Sequence, residues 1–399
     1  MNQEEIKKIK DRTKGVPVLS GRSDKWKKNY FDDLVFVPAQ LAKRPVDYFK
    51  EEIVSKTILG KMSKKPIELK IPILIGAMSF GALSKEAKVI LAKASALAGT
   101  VANTGEGGML PEEREFAERL IIQYSTGRFG INEEILKQAD AIEIKIGQGA
   151  KTGQGGLLRK EKITEEIAKI RKVGMDQDVH SPAYHSDISN IEDLRKKIDW
   201  LKEITNGVPI ILKLGAGDIE NDLDFAIQAN PDIIAIDGLS GGTGAAPEVM
   251  LDEVGIPIIA ALVRARKVLD RLGAKQELWV GGGLNKGGDF AKCLALGADG
   301  VFVGFPLLIA MGCGYCRQCY LGRCPFGIAT QDTELRKKLD IEVASQNVAN
   351  YLKNCNEEVK MIAGACGEND IHKLNKGHLR SLTLEAAEIA EVKLINQET

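Results

Sequence analysis

Cys313, Cys316, Cys319 and Cys324 crowd into twelve residues, with Pro325 directly after the last, in the spacing C-x2-C-x2-C-x4-C-P. Thiolates this close repel one another unless a metal neutralises them. The run is one residue away from the ferredoxin-type pattern that holds an iron–sulfur cluster. The other readings are a zinc site, a disulfide pair or chance. Structural zinc usually takes two Cys pairs separated by a longer knuckle. Disulfide frameworks belong to secreted chains, and no secretory segment is legible at the N-terminus. The iron–sulfur reading is therefore preferred. The remaining cysteines, Cys293, Cys355 and Cys366, are scattered.

A cluster loop needs a scaffold. Short β-branched runs at 71–78, 99–103, 120–124, 141–147, 209–215, 232–238, 278–283 and 300–304 mostly alternate with helical stretches. Eight buried-type strands of this kind predict a parallel sheet closed into a (β/α)8 TIM barrel. The rival, a doubly wound open sheet, would normally carry G-x-G-x-x-G after its first strand. That loop reads GAMSFGALS instead, and the fingerprint occurs nowhere in the chain. Glycines cluster after the strands, at 103–108, 147–156, 238–244, 281–288 and 304–306. One such loop is commonly just a turn. Five on the catalytic face of a barrel point to backbone lying close against a ligand. Gly282, Gly283 and Gly304 fall after the seventh and eighth strands, where barrels often hold a phosphate. Lys145 and Lys213 follow apolar runs toward the same mouth, where a buried cation could stabilise developing negative charge; the bland alternative is a lysine snorkelling to solvent.

Composition sets the outer bounds. The 399 residues carry 55 basic and 55 acidic side chains, a balance that gives no reason to invoke nucleic acid or an anionic membrane. No apolar run approaches the ~20 residues of a membrane span, so a cytoplasmic protein is expected. The first 28 residues are locally basic (Lys7, Lys8, Lys10, Arg12, Lys14, Arg22, Lys25, Lys27, Lys28), and an aromatic patch follows at Trp26, Tyr30, Phe31 and Phe36. The expected division is an N-terminal arm or cap over 1–70, the barrel over 71–312, the cluster loop over 313–330, and a helical extension over 331–399 whose main helix ends near Gly367.

A barrel with a phosphate site and an iron–sulfur loop suggests a flavin enzyme that exchanges electrons with its cluster. The segments IGAMSFGALSKEA (75–87), ANTGEGG (102–108), STGRFGI (125–131), IKIGQGAKTGQGG (144–156), SPAYHSDISNIEDL (181–194), GLSGGTGAAP (238–247) and MGCGYCRQCYLGRCPFGIATQ (311–331) carry a more specific message. In order and at sensible spacings, from about residue 70 to 350, they resemble the FMN-binding synthase domain of the glutamate synthase family, in its split, archaeal-type arrangement.

The resemblance implies FMN against Gly76, Ala77, Met78 and Ser79, with Asn103, Gln123, Lys145 and Lys213 nearby and the phosphate at Gly282, Gly283, Gly304 and Phe305. It implies a 2-oxoglutarate site at Gln148, Lys151 and Arg171, and Glu106 as the residue that receives ammonia and could accept its proton. The family's three-iron cluster falls on Cys313, Cys319 and Cys324. Cys316 is extra and would either complete a [4Fe-4S] cluster or stand beside a [3Fe-4S] one. Three positions depart from the family pattern. Gly281 stands where Asp is usual, Gln154 where an acid is usual, and Leu157 where a polar residue is usual. The last two lie in the substrate loop and keep methylamine open as an alternative amine. His180 and His185 flank the Ser181–Pro182 turn and are assigned no catalytic role.

No cysteine precedes residue 293, so the nucleophile of a glutaminase domain is missing from this chain, and the family's β-helical region is not seen. The implied partners are an electron donor, either a ferredoxin or an NAD(P)H-oxidising subunit, and possible separate glutaminase and β-helix subunits within an oligomer or complex. A non-catalytic FMN and iron–sulfur electron-transfer subunit is the remaining alternative. Such a relay would have no use for a dicarboxylate clamp.

Overall fold

In the computed structural model, residues 6, 9–11, 13, 18–23, 25 and 28–397 are described; Lys7, Lys8, Arg12, Lys14, Trp26 and Lys27 of the basic and aromatic arm lie outside them. Eight parallel strands, one at each apolar run named above, form the sheet: β1 (Ile73–Ile75), β2 (Ala102–Asn103), β3 (Leu120–Tyr124), β4 (Ala141–Lys145), β5 (Ile210–Gly215), β6 (Ile233–Asp237), β7 (Glu277–Gly281, starting one residue before its run) and β8 (Gly300–Val303). Their order is β1-β8-β7-β6-β5-β4-β3-β2. The Ile75 amide donates to the Val101 carbonyl at 3.2 Å, so the ring between β1 and β2 is nearly closed. This is the expected TIM-type barrel.

Both faces of each strand are covered, which is why the runs are continuous rather than alternating. Ile73, Ile122, Ile142, Ile144, Leu212, Ile234, Val280 and Val301 share one apolar cluster with the surrounding helices. Leu74, Ile121, Ile211, Ile233, Trp279 and Phe302 form a separate cluster together with Leu59, Ile67 and Leu69. Those last three belong to a small antiparallel hairpin, Thr57–Leu59 against Ile67–Leu69.

The helices begin and end where local chemistry directs. In α1 (Lys85–Ala98) the Ser84 hydroxyl accepts the Ala87 amide, and Gly99 closes the helix in the left-handed region. The 25-residue α2 (Ile341–Ala365) starts at Asp340, whose carboxylate accepts the Val343 amide, and ends two residues before Gly367. It packs along α1. The extension is not helical throughout: Leu379–Ser381 pairs antiparallel with Leu34–Phe36. Three residues are too short to register as a period-2 pattern.

The described part of the N-terminal 70 residues contains three short strand pairings. Leu19–Ser20 pairs with Ala246–Pro247, beyond the end of β6. Leu34–Phe36 joins the C-terminal strand, and the hairpin packs with the barrel's own interior cluster.

One buried ion pair fastens the mouth. Lys88 Nζ lies 2.9 Å from Glu113 Oε1, with both side chains at most 2% exposed. The same ammonium donates to the Asn103 and Thr104 carbonyls at 3.1 and 3.0 Å and to that of Met78, tying the loop after β1 to the loop after β2. Lys88→Met leaves Glu113 buried without its cation, and breaking such a pair costs about 3–5 kcal/mol. The expected outcome is a clear fall in the denaturant midpoint; an unchanged midpoint would mean that the pair contributes nothing net.

Candidate active site at the barrel mouth

Strand ends deliver the charged groups and the following loops enclose them. Gln123 comes from β3, Lys145 from the end of β4, Lys213 from β5 and Asp237 from the end of β6. With Gly76–Ser79, Glu106, Gln148, Lys151 and Arg171 they line one cavity. Lys145 Nζ donates to Glu106 Oε2 at 2.8 Å. The backbone at Gly156 passes so near that a Cβ there would sit 2.0 Å from Glu106 Oε1, which explains a glycine at that point. Burial alone would push the Glu106 carboxyl up, but Lys145, Lys151 and Arg171 together outweigh it and hold the group at about 2. Glu106 is therefore an anion at every physiological pH and a weak base. Burial brings Lys151 down to about 8, with Glu106 opposing and Lys145 assisting. Its Nζ donates to the Ala245 carbonyl at 3.3 Å. Arg171, brought down by burial to about 10, donates through Nε and Nη2 to the Phe80 carbonyl at 3.1 and 2.6 Å, and through Nη2 to Ser79 Oγ at 3.3 Å.

Next to this cationic pocket the cavity suits a flavin. Burial works against the charge on Lys213, yet Asp237, 3.5 Å away, and Glu143 raise its pKa and keep it an ammonium. It lies 4.8 Å from the centroid of the Phe302 ring. Gln123 Nε2 donates to Glu143 Oε1 at 2.5 Å. Gly282 and Gly283 take φ of 101° and 85°, and a Cβ on either would strike Gly238 or Ser240. A buried cation facing a wall of bare backbone fits an isoalloxazine edge and a phosphate. Asn103 does not line this cavity; its Oδ1 accepts the Gly105 amide at 2.9 Å and so shapes the loop that carries Glu106.

Cys313, Cys319 and Cys324 line the same cavity, whereas Cys316 does not. Tyr315 and Arg317, on either side of Cys316, adopt left-handed backbone (φ 57° and 58°), so the chain reverses twice around it. All seven cysteines are free thiols. Burial, then repulsion from Cys324, Cys313 and Cys316, pushes the Cys319 thiol up to about 11. The four sulfurs thus feel one another, although among the described residues no three His, Cys, Asp or Glu side chains gather tightly enough for a single metal ion. Three thiols lining one cavity, not gathered around one point, fit an iron–sulfur cluster better than a single zinc ion.

Sequence reasoning missed several polar wall residues, Asp237 and Arg22 among them. Asp237 had a readable signal, an acid closing an apolar strand; Arg22, from the N-terminal arm, had none beyond its basic surroundings. It also did not foresee the work of His185. His185 Nε2 lies 2.8 Å from the Lys145 carbonyl, and Arg128 Nη1 donates to Nδ1 at 2.5 Å. Burial and then Arg128 bring this imidazole down to about 4, so it is neutral at pH 7 and holds the Lys145 backbone rather than exchanging protons.

Comparison with known proteins places the chain in a family. Residues 4–369 match the family model described as the conserved region in glutamate synthase. The chain is 40% identical over 400 residues to the glutamate synthase large subunit-like protein of Rhizobium meliloti (strain 1021), covering 95% of this chain and 90% of that protein. It is 39% identical to the archaeal glutamate synthase [NADPH] of Methanocaldococcus jannaschii, covering 94% and 80%. Among solved structures, a double variant of flavocytochrome b2 with sulfite bound superposes with a TM-score of 0.60 at 17% identity, over 95% of this chain and 84% of that one. A mandelate oxidase variant with the monooxide FMN adduct gives 0.56 at 16%, over 90% and 93%; these two likenesses speak to the fold. On the sequence matches, the chain belongs to the glutamate synthase family, oxidoreductases acting on CH–NH2 donors.

Proposed function

We propose that this chain is the synthase-site subunit of a glutamate synthase, joining ammonia to 2-oxoglutarate and reducing the product to L-glutamate with FMN and an iron–sulfur cluster. The observation that carries the reading is the permanently ionised Glu106 set among Lys145, Lys151 and Arg171 in a cavity that also reaches the cysteine loop. In this reading residues 71–312 are the catalytic barrel and 313–330 the cluster loop, braced by 1–70 and 331–399.

Gln148, Lys151 and Arg171 bind and orient the dicarboxylate, Arg171 contributing planar donors that Lys cannot. The Glu106 carboxylate holds the amine and stabilises the positive charge that grows on nitrogen as it attacks C2. Its expected role as proton acceptor passes to a group that titrates closer to neutrality. Lys151 Nζ, held at about 8 and so mostly an ammonium at pH 7, binds the dicarboxylate in that form and gives its proton to the hydroxyl that departs as water; the neutral amine left behind then takes the proton that the substrate nitrogen sheds. The products of that step are 2-iminoglutarate and water. Gly76–Ser79, Lys213 and the Gly282–Gly283 wall would hold FMN, which would supply the hydride to C2, and Cys313, Cys319 and Cys324 would hold a cluster that would bring it electrons from a ferredoxin or an NAD(P)H-oxidising subunit. The Glu106–Lys145 pair keeps the amine pocket organised, and the loops exclude bulk water that would hydrolyse the imine. Ammonia comes free or from a separate glutaminase subunit, with a β-helix subunit completing the assembly.

Leu157 lines the cavity as an apolar side chain, which favours a second reading in which methylamine is the amine and N-methylglutamate the product. An anaerobic test separates the readings. The photoreduced protein receives 2-oxoglutarate with ammonium or methylamine, flavin absorbance is followed, and the product is identified by mass spectrometry. Glutamate formed only with ammonium supports the synthase. No reaction with either amine would favour a relay subunit.

The pH dependence has a definite sign. Lys151 is protonated below about 8 and neutral above it, so its hold on the dicarboxylate weakens as pH rises through about 8. At fixed free-amine concentration, kcat/KM for 2-oxoglutarate should fall on that alkaline side. No acid limb from Glu106 is expected between pH 5 and 7, because it stays ionised down to about 2. Steady-state profiles of kcat/KM, which report the free enzyme, check both limbs.

A further inference from the structure

The strap formed by residues 18–23 is sewn to the far side of the mouth from Glu106. The Glu248 amide donates to the Val18 carbonyl at 2.8 Å and the Thr243 amide to the Gly21 carbonyl at 2.9 Å. Ser23 Oγ donates to Asp252 Oδ1 at 2.6 Å. Fixed in this way, Arg22 lines the cavity, its guanidinium 5.4 Å from the centroid of the Phe305 ring. Phe305 in turn lies edge-on to Tyr315, 5.5 Å away. Among the described residues no carboxylate pairs with the Arg22 guanidinium. A cation held at a cavity wall without a counter-anion waits for one from the ligand.

The barrel's strand order decides which anion. Around the ring β7 stands opposite β3 and β8 opposite β4. The amine and dicarboxylate residues come from the β2–β4 side, whereas Arg22 sits over Phe305, directly after β8. On Arg22's side the wall is the bare backbone of Gly282, Gly283 and Gly304, and the Gly283 amide donates to no protein acceptor among the described residues. We infer that Arg22, carried in by the N-terminal strap, is the side-chain cation that binds the phosphate of the bound flavin nucleotide. The inference rests on the flavin reading above. It makes the strap part of the cofactor site rather than a cover over it.

The test uses the full chain freed of flavin and titrated, by fluorescence, with FMN and with riboflavin, which lacks the phosphate. Wild type, Arg22→Met and Arg22→Lys are compared. Arg22→Met should raise the Kd for FMN by about ten- to a hundredfold, the range for losing a charge-assisted bond, and leave riboflavin binding unchanged. Arg22→Lys should recover part of the loss. An equal rise for both flavins would reduce Arg22 to packing on Phe305, and an unchanged FMN Kd would likewise overturn the inference. If wild type bound neither flavin, the cofactor reading itself would fall, and this inference with it.

Discussion

Glu106→Gln should lower the rate of glutamate formation by about 10²–10⁴-fold, the range associated with a positioned charge or proton-transfer group. The change keeps shape and hydrogen-bonding capacity but removes the anion that three buried cations surround. Two consequences follow from that loss. The amine no longer meets a negative partner as its nitrogen becomes positive. The positive field of Lys145, Lys151 and Arg171, no longer compensated, also drives Lys151 further below about 8. The alkaline fall in kcat/KM should therefore move to lower pH in the variant. Flavin content should stay normal, because Glu106 does not touch the glycine wall. A rate within about threefold of wild type would remove Glu106 from the mechanism. A rate loss with an unshifted profile would show that the carboxylate acts on the amine alone, without tuning Lys151.

The second large effect concerns the cysteine loop. Cys319→Ser should abolish bound iron and acid-labile sulfide and stop turnover driven by a protein electron donor, while a photoreduced sample still converts 2-oxoglutarate and ammonium. Cys316→Ser should keep most of its iron, since Cys316 alone of the four does not line the cavity. Iron and sulfide analysis with low-temperature electron paramagnetic resonance checks both variants. Equal loss of iron in the two would mean that the loop rearranges to use all four thiols in a four-iron cluster. Retention of iron in Cys319→Ser would remove that residue from the ligand set.

How much could be read in advance depended on how local the cause was. All eight barrel strands were legible because a parallel strand buried on both faces writes its length as an unbroken apolar run. Lys145 and Lys213 were legible as cations where such runs end. The bottom hairpin at Thr57–Leu59 and Ile67–Leu69 was not, because three residues carry no usable period. The orientation of Cys316 could not be read from C-x2-C spacing, which is the same on both sides of it; it depends on left-handed backbone at Tyr315 and Arg317, residue types that rarely announce it. The charge state of Glu106 was the least accessible. The family resemblance suggested an acid near the amine, and a carboxyl at about 2 instead of one poised to take a proton emerges only when groups 39 to 65 positions along the chain converge on it (145 − 106 and 171 − 106).

The pairing of Leu34–Phe36 with Leu379–Ser381 has a bearing on how the molecule comes into being. Just beside it, Thr383 Oγ1 donates to Asp33 Oδ2 at 3.3 Å, joining positions 350 apart in the chain. Closing so large a loop is entropically costly, and it cannot happen until residue 383 has been synthesised. Most neighbouring barrel strands are some tens of residues apart in the chain, the exception being β1 and β8, where Ile73 pairs with Val301; even that pairing needs only residues up to 303. The belt of early and late segments is then the last element to lock. Until it does, Leu34 and Leu379, both buried in the finished fold, stay open to solvent and to non-native contacts.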